Sequence, residues 1–188
     1  MCLVEIKTWM THHFLKRNNQ KTEVLEVFPF YNQSPSISSI QYENVPIPTQ
    51  NAVKSLGVYF DSKLLFQRHA NEVANVCNFR LKNMSRIGSK LDDELKKVVA
   101  QSYIMNKIDY CNVVYSSLNQ NSINKLQTIQ NAAARFVAGV HSYNREWRHE
   151  GSMHELLFSL HFLPVKYRVK YKICLLCYKC LNDRLHFI

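Results

Sequence analysis

Three cysteines near the C-terminus, Cys174, Cys177 and Cys180, follow one another at intervals of three residues, which raises the question of a zinc site. Zinc needs thiolates that converge on one ion, usually from a tight turn. The residues between these cysteines favour a helix, on which the three sulfur atoms would spread over about 120°. We therefore interpret them as buried core thiols and predict that the chain holds no metal.

Other patterns with catalytic potential are incomplete. His154 and Glu155 begin an H-E-x-x-H motif, but Phe158 occupies the place of the second histidine. The four glycines lie too far apart to form a phosphate-binding loop, and G-x-S-x-G is absent. No paired carboxylates are spaced for two-metal chemistry. We predict no catalytic residue and no cofactor for this chain alone.

The charge of the chain indicates a polyanionic partner. Its 24 lysines and arginines exceed its 14 acidic residues by ten. Residues 1–94 contain 11 basic and 9 acidic side chains, whereas residues 95–188 contain 13 and 5. A basic half with interleaved tyrosines favours nucleic acid over a membrane as the partner. A lysine-rich surface without a specific ligand is the alternative.

Apolar runs are too short for a bilayer span of about 18 residues, and the N-terminus does not have the pattern of a signal peptide. We therefore expect an intracellular protein, in the nucleus or cytoplasm, that is not secreted and does not enter a membrane. Its six cysteines are expected to be free thiols.

The first third of the chain mixes helix and strand signals. Leu3, Ile6, Met10 and Phe14 form a stripe typical of an amphipathic helix over 3–15. Short β-prone segments follow at 22–28, at 40–47 as a hairpin, and at 53–60 as a strand interrupted by Gly57.

From residue 64 onward the apolar residues recur at intervals of three and four, the period of a helix. A continuous apolar face predicts a helix up to Gly88, and a second helix begins at 92–94. Five residues are expected on the inner side of that second helix: Leu95, Val98, Val99, Ser102 and Met105. Ser122 is interpreted as the N-cap of a third helix that ends at Gly139.

The C-terminal part is predicted as a polar connection over 141–152 and a further regular element after Pro164. Residues 165–173 alternate like a strand, yet Val165, Val169 and Ile173 also fit a helix. An element of about 18 residues is long for a strand, so we predict a helix. The fold class is α+β and mostly α.

Seven strings occur in one order along the chain: Leu3–Met10, Lys21–Leu25, Lys54–Asp61, Phe66 with His69, Ile108–Asn112, Leu126–Gln127 with Gln130–Arg135, and Leu160–Val165. In this order they resemble LINE-type (non-LTR, jockey-like) retrotransposon reverse transcriptases just after their catalytic aspartates. The resemblance implies three regions. Residues 1–61 would be a palm-edge and primer-grip-like remnant, 62–140 a thumb-like helical bundle, and 141–188 a basic C-terminal helical extension.

The same resemblance implies roles for several residues. Leu56, Gly57 and Val58 would form a primer-grip-like hairpin, and Lys21 would lie near the leaving pyrophosphate. For Lys21, a simple position at a strand end is an equal alternative. Cations that could hold an RNA/DNA template–primer duplex are Arg80, Lys82, Arg86, Lys90, Lys96, Lys97, Arg135, Lys166, Arg168, Lys170 and Lys172.

The family's aspartate motifs, and the Mg²⁺ ions that they bind in the full-length enzyme, are expected upstream of residue 1. We therefore predict a fragment of an RNA-directed DNA polymerase that keeps the thumb but has no polymerase activity by itself. The alternative is a non-enzymatic helical protein-interaction module. A severed domain would also expose apolar surface, which predicts self-association.

Overall fold

The computed structural model describes residues 2–16, 18–29, 31, 37–42, 45–140 and 150–182. The chain divides into two compact units, Met1–Leu64 and Leu65–Ile188. Each unit is described by itself.

The first unit contains one helix and five short strands: α1 (Cys2–His12), β1 (Val24–Leu25), β2 (Ser39–Tyr42), β3 (Val45–Gln50), β4 (Ala52–Ser55) and β5 (Val58–Asp61). Strand β3 pairs antiparallel with β2 and parallel with β1. Strands β4 and β5 form a separate antiparallel hairpin. The predicted hairpin over 40–47 is confirmed, and its turn at residues 43–44 lies outside the described residues.

Two strand predictions in this unit were wrong in extent. The segment 22–28 is extended, but only Val24 and Leu25 find a partner strand. The strand predicted over 53–60 is interrupted at Gly57, as predicted, but the interruption is a full reversal of the chain. Leu56 (φ 47°) and Gly57 (φ 83°) form the turn of a hairpin, which is also what the resemblance implied for this segment. Positive φ at both central residues is typical of the two-residue turn that matches strand twist.

Helix α1 is shorter than predicted, and two residues of its predicted apolar stripe, Ile6 and Phe14, are exposed. Phe14 has φ 56°, and the Leu15 amide donates to the Met10 carbonyl at 2.8 Å. This left-handed C-terminal turn ends the helix before Phe14 reaches the stripe, and the Phe14 side chain is 98% exposed. Ile6 and Trp9 are also exposed.

The second unit is built from six α-helices within its described residues: α2 (Gln67–Ile87), α3 (Asp93–Ala100), α4 (Asn106–Asp109), α5 (Gln120–Val137), α6 (Glu150–Ser159) and α7 (Val165–Leu181). A π-helical segment, Gln101–Met105, joins α3 to α4. Helix α2 buries the predicted face, from Phe66 and Ala70 through Val73, Cys77, Leu81 and Met84.

The second helix begins as predicted, with Asp92 as its N-cap, but its predicted inner face is right only in part. Met105 is buried and Val99 packs against the core, whereas Leu95, Val98 and Ser102 are exposed. The other buried positions are Ala100, Ile104 and Ile108. The π-helical segment adds a residue to its turn, so the inner face advances in steps of four through 100, 104 and 108.

Helix α5 begins three residues earlier than predicted and ends where predicted. Its N-cap is Asn119, whose side chain accepts from the Ser122 amide at 2.9 Å. Ser122 itself is buried in the first turn. At the other end Gly139 has φ 64°, and the Val140 amide donates to the Arg135 carbonyl at 3.0 Å, which confirms the glycine stop.

In the C-terminal part, residues 150–152 belong to α6 and were wrongly assigned to a polar connection; residues 141–149 lie outside the described residues. The predicted helix after Pro164 is confirmed as α7. The core thiols predicted at Cys174, Cys177 and Cys180 are wrong, because all three are exposed. Only the first half of α7 contributes buried residues, Val165 and Val169.

The fold is therefore α+β and mostly α. Buried residues of α6 and α7 share one hydrophobic core with α2, α5 and the π-helical segment. The three-region division at 61 and 140 stays a prediction. Among the described residues, no helix is both long and apolar enough to cross a bilayer.

Candidate nucleic-acid interface

Helices α2 and α5 run side by side in the same direction. Near their starts the Ser122 hydroxyl hydrogen-bonds the Gln67 side-chain carbonyl at 2.6 Å. Near their ends the Phe136 ring packs so closely on Gly88 that an added Cβ would stand 2.9 Å from it. Parallel packing brings the polar outer edges of the two helices together along their full length.

These edges border two cavities, one near each end, and we call the surface that contains both the α2–α5 groove. The α2 edge advances in steps of three and four residues through Asn71, Asn75, Asn78, Lys82, Ser85 and Ser89. The α5 edge follows the same period through Lys125, Thr128, Ala132 and Arg135. From Asn71 to Ser89 the groove is about 27 Å long. Neither edge contains an acidic residue.

The first half of the groove carries amide and hydroxyl groups. A cavity of about 350 Å³ is lined by the three asparagines of α2 and by Lys125 and Thr128 of α5. The Lys125 ammonium donates to the Asn71 side-chain oxygen at 3.2 Å. Short amides and hydroxyls on rigid helices can hydrogen-bond sugar hydroxyls and base edges in a shallow groove.

The second half of the groove carries cations. A cavity of about 530 Å³ is lined by Lys96 and Arg135 together with Ser85 and Ser89. Lys96 donates to Asp93 at 2.8 Å, which offsets part of its charge. Burial lowers the pKa of the Arg135 guanidinium, which nevertheless stays protonated because arginine titrates so far above neutral pH. The Arg135 guanidinium and the Ser89 hydroxyl can donate to one phosphate group here, whereas the Ser85 hydroxyl already donates to the Leu81 carbonyl at 2.8 Å.

Helix termini explain part of this basic cluster. Helices α2 and α5 both end here, with Arg86 and Arg135 in their last turns. The carbonyl ends of helices carry partial negative charge and stabilise cations. The same cations therefore also stabilise the fold, and their charge is only partly available to a ligand.

The other predicted cations of the bundle divide into two groups. Lys82, Arg86 and Lys90 are exposed at the C-terminal end of α2, and Lys97 is half-buried on α3. Arg80 instead joins two elements, since its guanidinium donates to the Tyr103 carbonyl at 2.7 Å and lies 5.8 Å from the Tyr103 ring centre. Arg80 is thus already engaged within the bundle.

Arg168 likewise holds helices together. Its guanidinium forms an ion pair with Asp109 of α4 and donates to the Leu163 carbonyl at 2.6 Å. The same carbonyl accepts from the fully buried Gln130 at 2.9 Å. The Gln127 side chain accepts from the Val165 amide at 2.9 Å and completes the attachment of α7 to α5. Several residues of the resembling strings therefore meet in one polar network.

The remaining α7 cations, Lys166, Lys170 and Lys172, are exposed. The structure does not bring them into the α2–α5 groove, whose lining comes from residues 71 to 140. Their predicted nucleic-acid contacts therefore concern a separate surface.

In the first unit, the primer-grip-like residues occupy the β4–β5 turn. Leu56 is 88% exposed at the tip, Gly57 supplies the second positive φ, and Val58 is buried at the start of β5. Lys21 is exposed and ends a short 3-10 turn, Asn19–Lys21, just before β1. Among the described residues, no cluster of three or more acidic, histidine or cysteine side chains could hold a metal ion.

Two polar side chains, those of His69 and Tyr115, are buried next to each other inside the helical unit. The rings of His69 and Tyr115 lie 5.9 Å apart, and neither His69 Nε2 nor the Tyr115 hydroxyl has a hydrogen-bond partner among the described residues. Burial, with a smaller contribution from Lys107, lowers the pKa of His69. Burial raises the pKa of the neighbouring Cys77 thiol to about 11, so that it stays a neutral core group.

Part of the α2–α5 groove was not predicted from the sequence. Lys82, Lys96 and Arg135 were predicted as contacts, but Asn71, Asn75, Asn78, Lys125 and Thr128 were not. A signal was present, because the asparagines recur at the helical period opposite the apolar face of α2. The hydrogen bond between Asn71 and Lys125, 54 residues apart in sequence, is a tertiary feature.

Comparison with known proteins gives one curated relative. Over 105 residues the chain is 30% identical to a probable RNA-directed DNA polymerase from transposon X-element of Drosophila melanogaster. The match covers 53% of this chain and 11% of the relative, so the chain spans about a tenth of that protein. No profile of a known protein family matches the chain. No solved structure matches it either. The similarity supports a relationship to retrotransposon reverse transcriptases.

Proposed function

We propose that this chain is a segment of a LINE-type (non-LTR, jockey-like) retrotransposon reverse transcriptase, and that the α2–α5 groove holds template–primer duplex as part of its thumb. The observation that carries the proposal is the groove itself, because no aspartate or glutamate lies on either of its edges. It presents amides and hydroxyls in one half and a cationic cavity in the other. A surface that reads shape and phosphate rather than base sequence needs this combination.

We further propose that the 188 residues bind duplex without extending it. The resemblance assigns the catalytic aspartates to a part of the enzyme that precedes the matching strings. Nucleotide transfer needs two metal ions held on such carboxylates. The purified chain, supplied with Mg²⁺, a primed RNA template and deoxynucleotides, should therefore leave the primer at its original length.

Binding can be measured by fluorescence anisotropy with a labelled RNA–DNA duplex over a series of salt concentrations. If about five phosphates are neutralised, the logarithm of the association constant should fall against the logarithm of salt concentration with a slope of about −4. A flat response would contradict the proposal.

Charge reversal within the groove gives a sharper test. The double variant Lys82→Glu with Lys125→Glu should weaken duplex binding at least tenfold and reduce the salt slope by about two, because two phosphate contacts become repulsive. The matched control, Lys7→Glu with Lys16→Glu, makes the same charge change on exposed lysines outside the groove. Equal losses in both variants would mean that only net charge matters and that the groove has no special role.

A protein-interaction module is the second candidate function. Large apolar side chains are exposed in both units, among them Trp9, Phe79 and Phe158. Hydrophobic association persists at high salt, whereas phosphate contacts weaken. Light scattering that shows stable self-association at high salt, without any duplex binding at low salt, would favour this candidate over the duplex-binding thumb.

A further inference from the structure

Helix α7 carries more positive charge than its packing requires. Its 17 residues contain five basic and no acidic side chains. Arg168 is engaged by Asp109 and the Leu163 carbonyl, but Lys166, Lys170, Lys172 and Lys179 are all exposed. Only Val165 and Val169 are buried, so most of the helix surface faces outward.

Tyrosines occupy one side of this outward surface. Tyr167 and Tyr171 are 54% and 63% exposed, and they lie four residues apart on the same side of the helix. Tyr178, seven residues further on, falls within the same sector of about 40° and is half-exposed. We call this row of three the tyrosine face.

The lysines flank the tyrosine face on both sides. With about 100° of rotation per residue, Lys166 and Lys170 fall along one edge of the face, and Lys172 and Lys179 along the other. A row of exposed rings between two rows of cations matches an unpaired strand, whose bases offer flat π-faces and whose phosphates lie alongside. A duplex would hide its bases and leave the rings without a partner.

We propose that the tyrosine face of α7 binds single-stranded nucleic acid, with Tyr167 and Tyr171 stacking on unpaired bases and the flanking lysines contacting phosphates. This inference goes beyond the proposed duplex-holding function, since it concerns a different surface and a different ligand. It depends on neither the α2–α5 groove nor the relationship to a polymerase.

A pocket continues the tyrosine face at its N-terminal end. Tyr167 also lines a cavity of about 420 Å³, together with Phe158, Phe162 and His161. The lining is mainly aromatic, with imidazole groups at positions 154 and 161 that can hydrogen-bond. An unpaired base next to Tyr167 can therefore insert into this aromatic pocket instead of remaining in solvent.

Charge complementarity favours a nucleic-acid strand over a second copy of this chain. A second copy carries the same net charge of +10 and would bring its own lysines against these. An anionic lipid surface satisfies the lysines, but a stacking contact with a base is specific to nucleic acid. The experiment must therefore separate stacking from charge alone.

Fluorescence anisotropy of the full chain with a labelled 12-nucleotide single strand provides the test, with an abasic strand of the same length as the matched probe. Tighter binding of the base-containing strand, by at least fivefold, is the expected result, because each base–ring stack typically contributes that factor or more. Equal binding of the two strands would overturn the proposal. So would tight binding to vesicles of anionic lipid together with none to the base-containing strand.

Substitutions of Tyr167 and Tyr171 test whether the preference for the base-containing strand depends on the tyrosine face. Tyr167→Ala with Tyr171→Ala should weaken binding of the base-containing strand by roughly 25-fold and leave binding of the abasic strand unchanged. Tyr167→Phe with Tyr171→Phe keeps both rings and should bind within about twofold of the natural chain. The control Tyr103→Ala removes an equally exposed ring elsewhere in the unit and should have no effect.

Tyr167→Leu with Tyr171→Leu keeps apolar surface and helix propensity, so it remains informative if the alanine variant folds poorly. Loss of single-strand binding in the leucine variant supports stacking. Full binding in that variant would show that the rings act only as hydrophobic surface and would overturn the proposal.

Discussion

The two units of this chain are stabilised in different ways. Among the described residues of the helical unit, 23 hydrophobic residues are buried, drawn from α2 through α7, the π-helical segment and their connections. Among the described residues of the first unit, Val58 alone is buried. In a helix, apolar residues three and four positions apart form one stripe that can pack against another helix. Short strands form a buried face only when several of them pair, often with partners far away in sequence. The comparison shows that the helical unit contains its own core and that the first unit is mostly surface.

The largest expected effect tests this difference directly. Leu126→Ala removes a fully buried side chain from α5 and should lower the free energy of unfolding by about 2–5 kcal/mol, because it leaves a cavity. Ile6→Ala in α1, at an exposed position, should cost less than about 1 kcal/mol. Urea denaturation followed by circular dichroism measures both. Equal losses would mean that α1 is buried in the native state and that the contrast is wrong.

A smaller loss in the free energy of unfolding is expected from a change at the site where α7 attaches to α5. Gln130→Leu removes the donor to the Leu163 carbonyl and the acceptor used by Gln127, at a cost of about 1–3 kcal/mol. Hydrogen exchange should become faster in α7. Asn121→Leu, an exposed change on the same helix, is the control. Unchanged exchange in α7 would show that its attachment does not depend on this polar network.

The buried histidine predicts a pH dependence that belongs to the helical unit. Because burial lowers the pKa of His69 below its ordinary value of 6.5, the unfolded chain takes up this proton first as the pH falls. The contribution of His69 to stability is therefore complete above pH 6.5. It is lost below that pH, at up to about 1.4 kcal/mol per pH unit. Thermal unfolding of the natural chain and of His69→Gln should converge as the pH falls from 7.5 to 5.5.

The smallest expected effects come from two glycines with positive φ, one in each unit. Gly139→Ala at the end of α5 and Gly57→Ala in the β4–β5 turn each place a Cβ in the left-handed region, which costs about 1 kcal/mol. In the helical unit the loss should appear in global unfolding. In the first unit it should appear as faster hydrogen exchange around the hairpin alone. A global effect of Gly57→Ala would indicate that the two units unfold together.

Sequence patterns predicted the helical unit well where helices are regular. The apolar face of α2, the glycine stop of α5 and the helix after Pro164 are all confirmed. The inner face of the second helix was predicted only in part, because no simple period reveals the π-helical segment at 101–105. The N-cap of α5 was misplaced because Asn119 and Ser122 both fit the role, and packing against Gln67 decided which was buried.

The candidate site was only partly predictable. Cation identity indicated Lys82, Lys96 and Arg135, but charge alone does not distinguish a groove lysine from an arginine that pairs with Asp109 or caps a carbonyl. Exposure of the α7 cysteines was also missed, because their helical spacing fits burial and exposure equally well. The duplex-binding and primer-grip roles stay predictions.

By itself, the sequence determined the basic charge, the helical periods and the places where helices end, because these depend on residue type and on neighbours a few positions away. Only the tertiary structure decided which polar edges face each other, which arginines are engaged within the fold and which tyrosines remain exposed. Those outcomes depend on contacts between residues tens of positions apart, and local periodicity carries no information about such pairings.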